Sequence, residues 1–225
     1  MADRIDFDKY TEQYNRLLHE GTTFFSKNDA YFAKYKVDLM KSRLSRPVNR
    51  LLEYGCGIGR NIPFLRGAFP DAEVVGTDIS RASLEVARLN QPDIKFIHES
   101  ENASNLGFFD LIFVACVFHH VPIVERNRLS DRLYRHLRSP GDLFVFEHNP
   151  YNPVTRRIVS KCAYDEDAVL LTPRELRGYL STAGFKSAHT AYCLFFPPSF
   201  GSLARLESKL GWLPLGGQYF VHVSK

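Results

Sequence analysis

Leu51-Leu52-Glu53-Tyr54-Gly55-Cys56-Gly57-Ile58-Gly59-Arg60 sets three alternate glycines behind a short apolar run that carries one acid. Such a run reads as a buried strand feeding a tight turn. Where every second residue lacks a Cβ, the backbone can take positive φ and a ligand can approach the main chain itself. A dinucleotide fingerprint, G-x-G-x-x-G, needs its third glycine at position 60, where Arg60 stands, so nicotinamide and flavin cofactors fit the spacing poorly.

The pattern downstream repeats strand, then helix. Arg50 to Tyr54 is strand 1, and a helix from Gly59 to Gly67 carries Pro63 in its first turn, where a missing N–H is harmless. Glu73 to Asp78 is strand 2 and ends in an acid, Ser80 caps the next helix, and Ile94 to His98 is strand 3. Phe109 to Ala115 is nearly all apolar, as a strand covered on both faces of a parallel sheet should be. Pro122 to Arg138 is an arginine-rich helix, and Asp142 to Phe146 is strand 5, followed by Glu147-His148-Asn149. Thr172-Pro173-Arg174-Glu175 opens a helix with a capping box that Gly184 closes. Phe185 to Phe196 is strand 6. Five strands separated by helices imply a parallel sheet with right-handed crossovers and ligands at its carboxyl edge.

Two segments ahead of strand 1 read as helices. Phe7, Tyr10, Tyr14 and Leu17 share one face of the first, which either docks on the core or forms a lid that brings Tyr14 to the substrate. Residues 29–45 form the second. Asn149-Pro150 and Asn152-Pro153 favour turns over helix, and Arg156, Arg157 and Asp165-Glu166-Asp167 make a polar excursion on the substrate side. A guanidinium fork recognises carboxylates and phosphates, so Arg156 and Arg157 are candidates for substrate binding. Residues 197–215, with Trp212, exceed what a hairpin needs and either cover substrate or contact a second subunit.

Composition narrows the class. The chain has 225 residues, 44% hydrophobic and 24% charged, which suits one folded domain over residues 1–225: N-terminal helices at 1–46 and insertions at 149–171 and 197–215. A net charge of +4 with dispersed basic residues argues against a nucleic-acid partner. Cys56, Cys116, Cys162 and Cys193 form no C-x-x-C pair, so neither a disulfide framework nor a zinc site is expected, and no spacing fixes two metal ligands on one helix face. With no apolar leader and no run of 18 apolar residues, a cytoplasmic protein without membrane insertion is expected, as monomer or homodimer.

Glu53-x-Gly55-x-Gly57-x-Gly59, Asp78 at the end of strand 2, and Cys116-Val117-Phe118-His119-His120-Val121-Pro122 after strand 4 together resemble the class I S-adenosylmethionine-dependent methyltransferases, specifically the small-molecule group that includes ubiquinone and menaquinone C-methyltransferases. The resemblance covers residues 50–225 and implies a Rossmann-like α/β sheet of seven strands, the last antiparallel, with helices on both faces. It implies that Gly55, Gly57 and Gly59 hold the methionine moiety of S-adenosylmethionine, with S-adenosylhomocysteine as product. Glu53 then supports the turn, Asp78 binds the ribose, Ile79 packs on the adenine and Ala115 lies beside the methionine end. Ser100 aligns where such enzymes usually carry Asp, which leaves the adenine contact open among Glu99, Ser100 and Glu101. Methyl transfer to the oxygen, nitrogen or carbon of a small molecule is the implied activity. The chemistry needs alignment and exclusion of water, and a hydroxyl acceptor needs a base, for which His119, His120 and His148 are candidates. A non-catalytic cofactor-binding protein on the same scaffold is the alternative, and a dinucleotide oxidoreductase the more distant one.

Overall fold

β1 (Arg50–Tyr54), β2 (Glu73–Asp78), β3 (Lys95–His98), β4 (Phe109–Ala115), β5 (Leu137–His148), β6 (Lys186–Cys193) and β7 (Gln218–Ser224) form one sheet in the order β3-β2-β1-β4-β5-β7-β6. The computed structural model describes residues 6–11, 16, 19, 23, 25, 26, 28, 30–100, 106–204 and 206–225. β1 to β5 pair in parallel, and β7 inserts antiparallel between β5 and β6. The Rossmann-like sheet of seven strands that the resemblance implies, its last strand antiparallel, is therefore present. β1, β2 and β4 have the boundaries expected from their apolar runs, whereas β5 is longer than expected. Its extra amino-terminal length comes from Leu137 pairing with Phe109 ahead of a bulge on β5, which takes five residues to reach Asp142 opposite Leu111 while β4 takes two.

Side-chain alternation sends each strand's apolar residues to two cores. Ile112 and Val114 of β4 and Leu143 and Val145 of β5 face one of them. There they meet α4 (Arg126–His136), through Leu129 and Leu133, and α6 (Pro173–Thr182), through Leu176 and Leu180. Leu111, Phe113, Phe144 and Phe146 face the other. That side is covered by α1 (Ala30–Lys41), α2 (Ile62–Ala68) and α3 (Arg81–Asn90) through Val37, Met40, Ile62, Leu65, Leu84 and Ala87. Side chains of this kind, fully buried, each contribute about 1.5–3 kcal/mol of hydrophobic stabilisation.

Local signals place the helices. Ser80 Oγ accepts from the Ser83 amide at the start of α3, and Thr172 and Glu175 complete a capping box on α6. One segment departs from expectation: Asn152-Pro153 opens a helix, α5 (Pro153–Val159), where turns were expected. Asn152 Oδ1 accepts from the amides of Val154 and Thr155, and Pro153 falls in the first turn, where its fixed φ suits a helix and no N–H is needed. The connection from β6 to β7 holds two short helices, α7 (Gly201–Ala204) and α8 (Glu207–Leu210). No helix among the described residues is long and apolar enough to cross a membrane.

From β1 the strand order runs outward to β2 and β3 in one direction and to β4 and β5 in the other. In an open α/β sheet that reversal leaves a crevice at the carboxyl ends of the two central strands. Gly55 after β1 and Cys116 after β4 border it.

Candidate active site

The turn after β1 is held by its neighbour strand. The amides of Gly55 and Cys56 both donate to Thr77 O, at 2.8 and 2.9 Å, and the Gly57 amide donates to Asp78 Oδ2 at 2.7 Å. Gly55 and Gly57 have φ of 71° and 52°. A Cβ on Gly55 would stand 2.4 Å from Val117 Cγ2, whereas one on Gly57 would meet nothing within 4 Å. The first glycine is required by packing against the loop after β4, and the second leaves its backbone open to a ligand. Beneath the turn, Glu53 Oε1 accepts from Asn61 Nδ2 at 2.6 Å, while its buried Oε2 has no hydrogen bond to a described residue. Burial pushes the Glu53 carboxyl up to about 8, against the opposing pull of Asn61 and Lys36.

Two cavities meet at Gly55. The larger, about 400 Å³, is bounded by the glycine turn, Ala115, Cys116, His119, His120, His148, α5 and the segment before β7. The smaller, about 180 Å³, holds Asp78, Ile79, Glu99, Val117 and Leu129, with Phe7 at its rim. Asp78 Oδ1 accepts from the Ser80 amide at 2.8 Å, so each carboxylate oxygen takes one backbone N–H and keeps a lone pair for another donor. Burial raises the Asp78 pKa even so. Arg132 Nη1 donates to Glu99 Oε2 at 2.7 Å and to Tyr54 Oη at 3.2 Å, fixing the far wall.

The larger cavity contains the most polar cluster of the site. Glu147, at the end of β5, is fully buried and accepts from the amides of Val117 and Phe118 through Oε1. Its Oε2 lies 2.6 Å from His119 Nδ1. His119 Nε2 and His120 Nε2 stand 3.5 and 3.3 Å from Asp165 Oδ1, and His120 Nδ1 is 3.1 Å from Asp167 Oδ1. Burial would push the His119 pKa down, but the Glu147 and Asp165 carboxylates outweigh it and hold the imidazole well above its usual value. Asp165 is held below the usual carboxylate range, its two histidine partners outweighing burial. Burial, with His119 nearby, lowers His148 to about 4, so its ring is neutral. Lys36, 8% exposed, projects from α1 into the same cavity with no hydrogen bond or ion pair to a described residue.

A family profile described as a methyltransferase domain matches residues 51–141, the stretch that builds this crevice. That stretch is similar to the methyltransferase domains. The chain is 29% identical over 167 residues to a trans-aconitate 2-methyltransferase of Deinococcus radiodurans, covering 74% of this chain and 60% of that one. It is also 29% identical over 160 residues to a demethylmenaquinone methyltransferase of Thermotoga maritima, covering 69% and 64%. The chain thus matches less than two thirds of the length of either relative. Its fold is shared with a solved S-adenosylmethionine-dependent methyltransferase of Thermotoga maritima, at a TM-score of 0.69, 21% identity and 97% coverage of both chains.

Within this methyltransferase framework the expected residues are distributed unevenly. Gly55, Gly57, Ala115, His119, His120 and His148 line the larger cavity, and Asp78 and Ile79 the smaller. Gly59 packs behind the turn, where a Cβ would stand 3.4 Å from that of Ala87. Ser100 is exposed, pairs with His98 Nδ1 at 2.7 Å and lines neither cavity, while Glu99 beside it does line one. Arg156 and Arg157 are exposed on α5 and also line neither, because helical phase turns Val154, Thr155 and Ile158 toward the cavity instead. Tyr14 and Glu101 lie outside the described residues. Lys36, a charged residue on the helix that also carries Tyr31, Phe32 and Tyr35, bears no spacing signal that marks it for the site. Asp165 and Asp167 bear none either, since they lie 46 and 47 residues from His119 and His120.

Proposed function

We propose that this chain transfers a methyl group from S-adenosylmethionine to a small-molecule acceptor held in the larger cavity. One observation carries the reading: the smaller chamber, walled by Asp78 and Ile79, joins the larger one at Gly55, beside a glycine whose backbone faces open space. The residues fit the cofactor. Asp78 retains acceptor capacity for ribose hydroxyls, Ile79 and Val117 offer apolar faces to an adenine, and Glu99 is placed to accept from its amino group. Gly55, Gly57 and Lys36 would receive the methionine end, the lysine meeting its carboxylate or an acidic group on the acceptor. S-adenosylmethionine supplies a methyl group on positively charged sulfur, open to in-line displacement.

The chain's own task is then to align the acceptor, exclude water and take up a proton where the acceptor is a hydroxyl or amine. His119 is poorly suited to that last step, since both its nitrogens face carboxylates. We assign it to His148, whose ring lines the cavity and has no hydrogen bond to a described residue. Oxygen or nitrogen acceptors follow from this assignment, and the names of the relatives support a small acceptor. Calorimetry of the purified chain with S-adenosylmethionine, S-adenosylhomocysteine and NAD tests the reading, followed by methyl-transfer assays over small acids, phenols and amines. Heat with the first two ligands and none with NAD is expected. Binding without transfer to any acceptor would favour a non-catalytic role, and heat with NAD alone would overturn the cofactor assignment.

A further inference from the structure

We propose that His119, His120 and Asp165 form a site for one divalent first-row transition-metal ion in the wall of the larger cavity. The ion's remaining coordination positions face the space given above to the acceptor, and this role toward the acceptor rests on that reading of the function. The site itself does not. His119 Nε2, His120 Nε2 and Asp165 Oδ1 all lie within 4.8 Å of one another. Their shorter separations, 3.5 and 3.3 Å, are close to those of adjacent ligands around an ion, since bonds of about 2.1 Å put such atoms roughly 3–3.5 Å apart.

Three further features favour an ion over a simple cluster of ion pairs. First, His119 Nε2 is fully buried, lines this space and makes no hydrogen bond to a described residue, its 3.5 Å approach to Asp165 lacking the geometry of one. An orphaned buried nitrogen is costly unless a partner arrives. Second, each imidazole is oriented from behind by its own carboxylate, His119 by Glu147 at 2.6 Å and His120 by Asp167 at 3.1 Å. A carboxylate on the far nitrogen fixes the ring so that, when an ion takes the place of a proton, the near nitrogen presents its lone pair to it, the usual support of a metal-bound histidine. Third, Glu147 Oε1 is occupied by two backbone amides, so this carboxylate is held rigidly as a support.

Two imidazoles and one carboxylate suit zinc, iron, manganese or cobalt rather than the all-oxygen preference of magnesium or calcium. Three protein ligands leave positions open for oxygen donors of a small molecule. A bound hydroxyl there loses its proton more readily, and His148 in the same wall is placed to receive it.

The test uses the full chain, stripped with a chelator and dialysed. Cobalt(II) is titrated in while visible ligand-field absorption is followed, and zinc(II) uptake is measured by calorimetry. One ion per chain is expected. His120→Ala and Asp165→Asn, both at less deeply buried positions than His119, should each abolish or greatly weaken uptake. Asp167→Asn, acting through His120, should weaken it by about 10–100-fold. Melting curves confirm that each variant is folded. Absence of saturable uptake, or uptake undiminished in both His120→Ala and Asp165→Asn, overturns the site. S-adenosylmethionine calorimetry on the same samples separates the two proposals. Cofactor heat without metal uptake removes only the metal site, and metal uptake without cofactor heat removes only the transferase reading.

Discussion

The Gly57 amide donates to the Asp78 carboxylate at 2.7 Å, tying the turn after β1 to the end of β2. Two backbone features recognised separately in the sequence are thus one unit, in which the acid both shapes the glycine turn and faces the smaller chamber. Replacing Gly57 separates folding from binding. Alanine at φ 52° costs about 1–2 kcal/mol, but its Cβ would meet no protein atom within 4 Å. Gly57→Ala should therefore fold with a lowered Tm and lose S-adenosylmethionine heat in calorimetry. Gly55→Ala should destabilise far more, because its Cβ would collide with Val117. Unchanged cofactor affinity in Gly57→Ala would refute the role given to the turn.

Glu53 predicts a pH-dependent stability. Its carboxyl has a folded pKa of about 8 against an ordinary value of 4.5. The folded state therefore holds this proton more tightly than the unfolded chain does. The resulting stability is fully present below pH 4.5 and is lost as pH rises toward 8, at up to about 1.4 kcal/mol per pH unit. Glu53→Gln keeps an acceptor for Asn61 and removes the titration. Without ligand, the variant's Tm should fall less than the parent's between pH 5 and 8, the range in which the unfolded chain has lost this proton and the folded chain still holds it. Parallel Tm curves would contradict this.

Lys36 should trade stability for binding. A buried ammonium that pairs with no described residue is costly, so Lys36→Met should raise the Tm of the ligand-free chain. The same change should weaken whichever anionic group the lysine meets, by about 10–150-fold for one charged hydrogen bond. Calorimetry with S-adenosylmethionine and acceptor KM measured separately will show which ligand it serves.

His148→Ala should lower kcat by about 100–10,000-fold while leaving S-adenosylmethionine affinity within a factor of a few. Single-turnover rates at saturating cofactor give this directly. A kcat near that of the parent would move the proton to another group.

Much of the fold was legible because its signals are local. β1, β2 and β4 are apolar runs ended by a glycine or a turn, and Ser80 and Thr172 cap helices through residues three positions away. That Gly55, Gly57, Asp78 and Ile79 would border neighbouring cavities was legible for the same reason, since they sit at the ends of two adjacent strands. The polar wall of the larger cavity was not. Asp165 meets His119 and His120 only because α5 carries the chain back across the carboxyl edge, and helical phase on α5 turned Arg156 and Arg157 outward. A spacing rule along one element does not reach contacts that depend on the path of a connection.

The two connections that border the larger cavity are stitched to each other. Asn149 Nδ2 donates to Pro214 O and Gly216 O, Asn152 Nδ2 to Leu215 O, and Thr155 Oγ1 to Gly217 O. Grafting one of them from a related enzyme would strand amide and carbonyl groups on the other. Acceptor preference in this scaffold should therefore be transplanted only when residues 149–171 and 197–217 travel together as a matched pair.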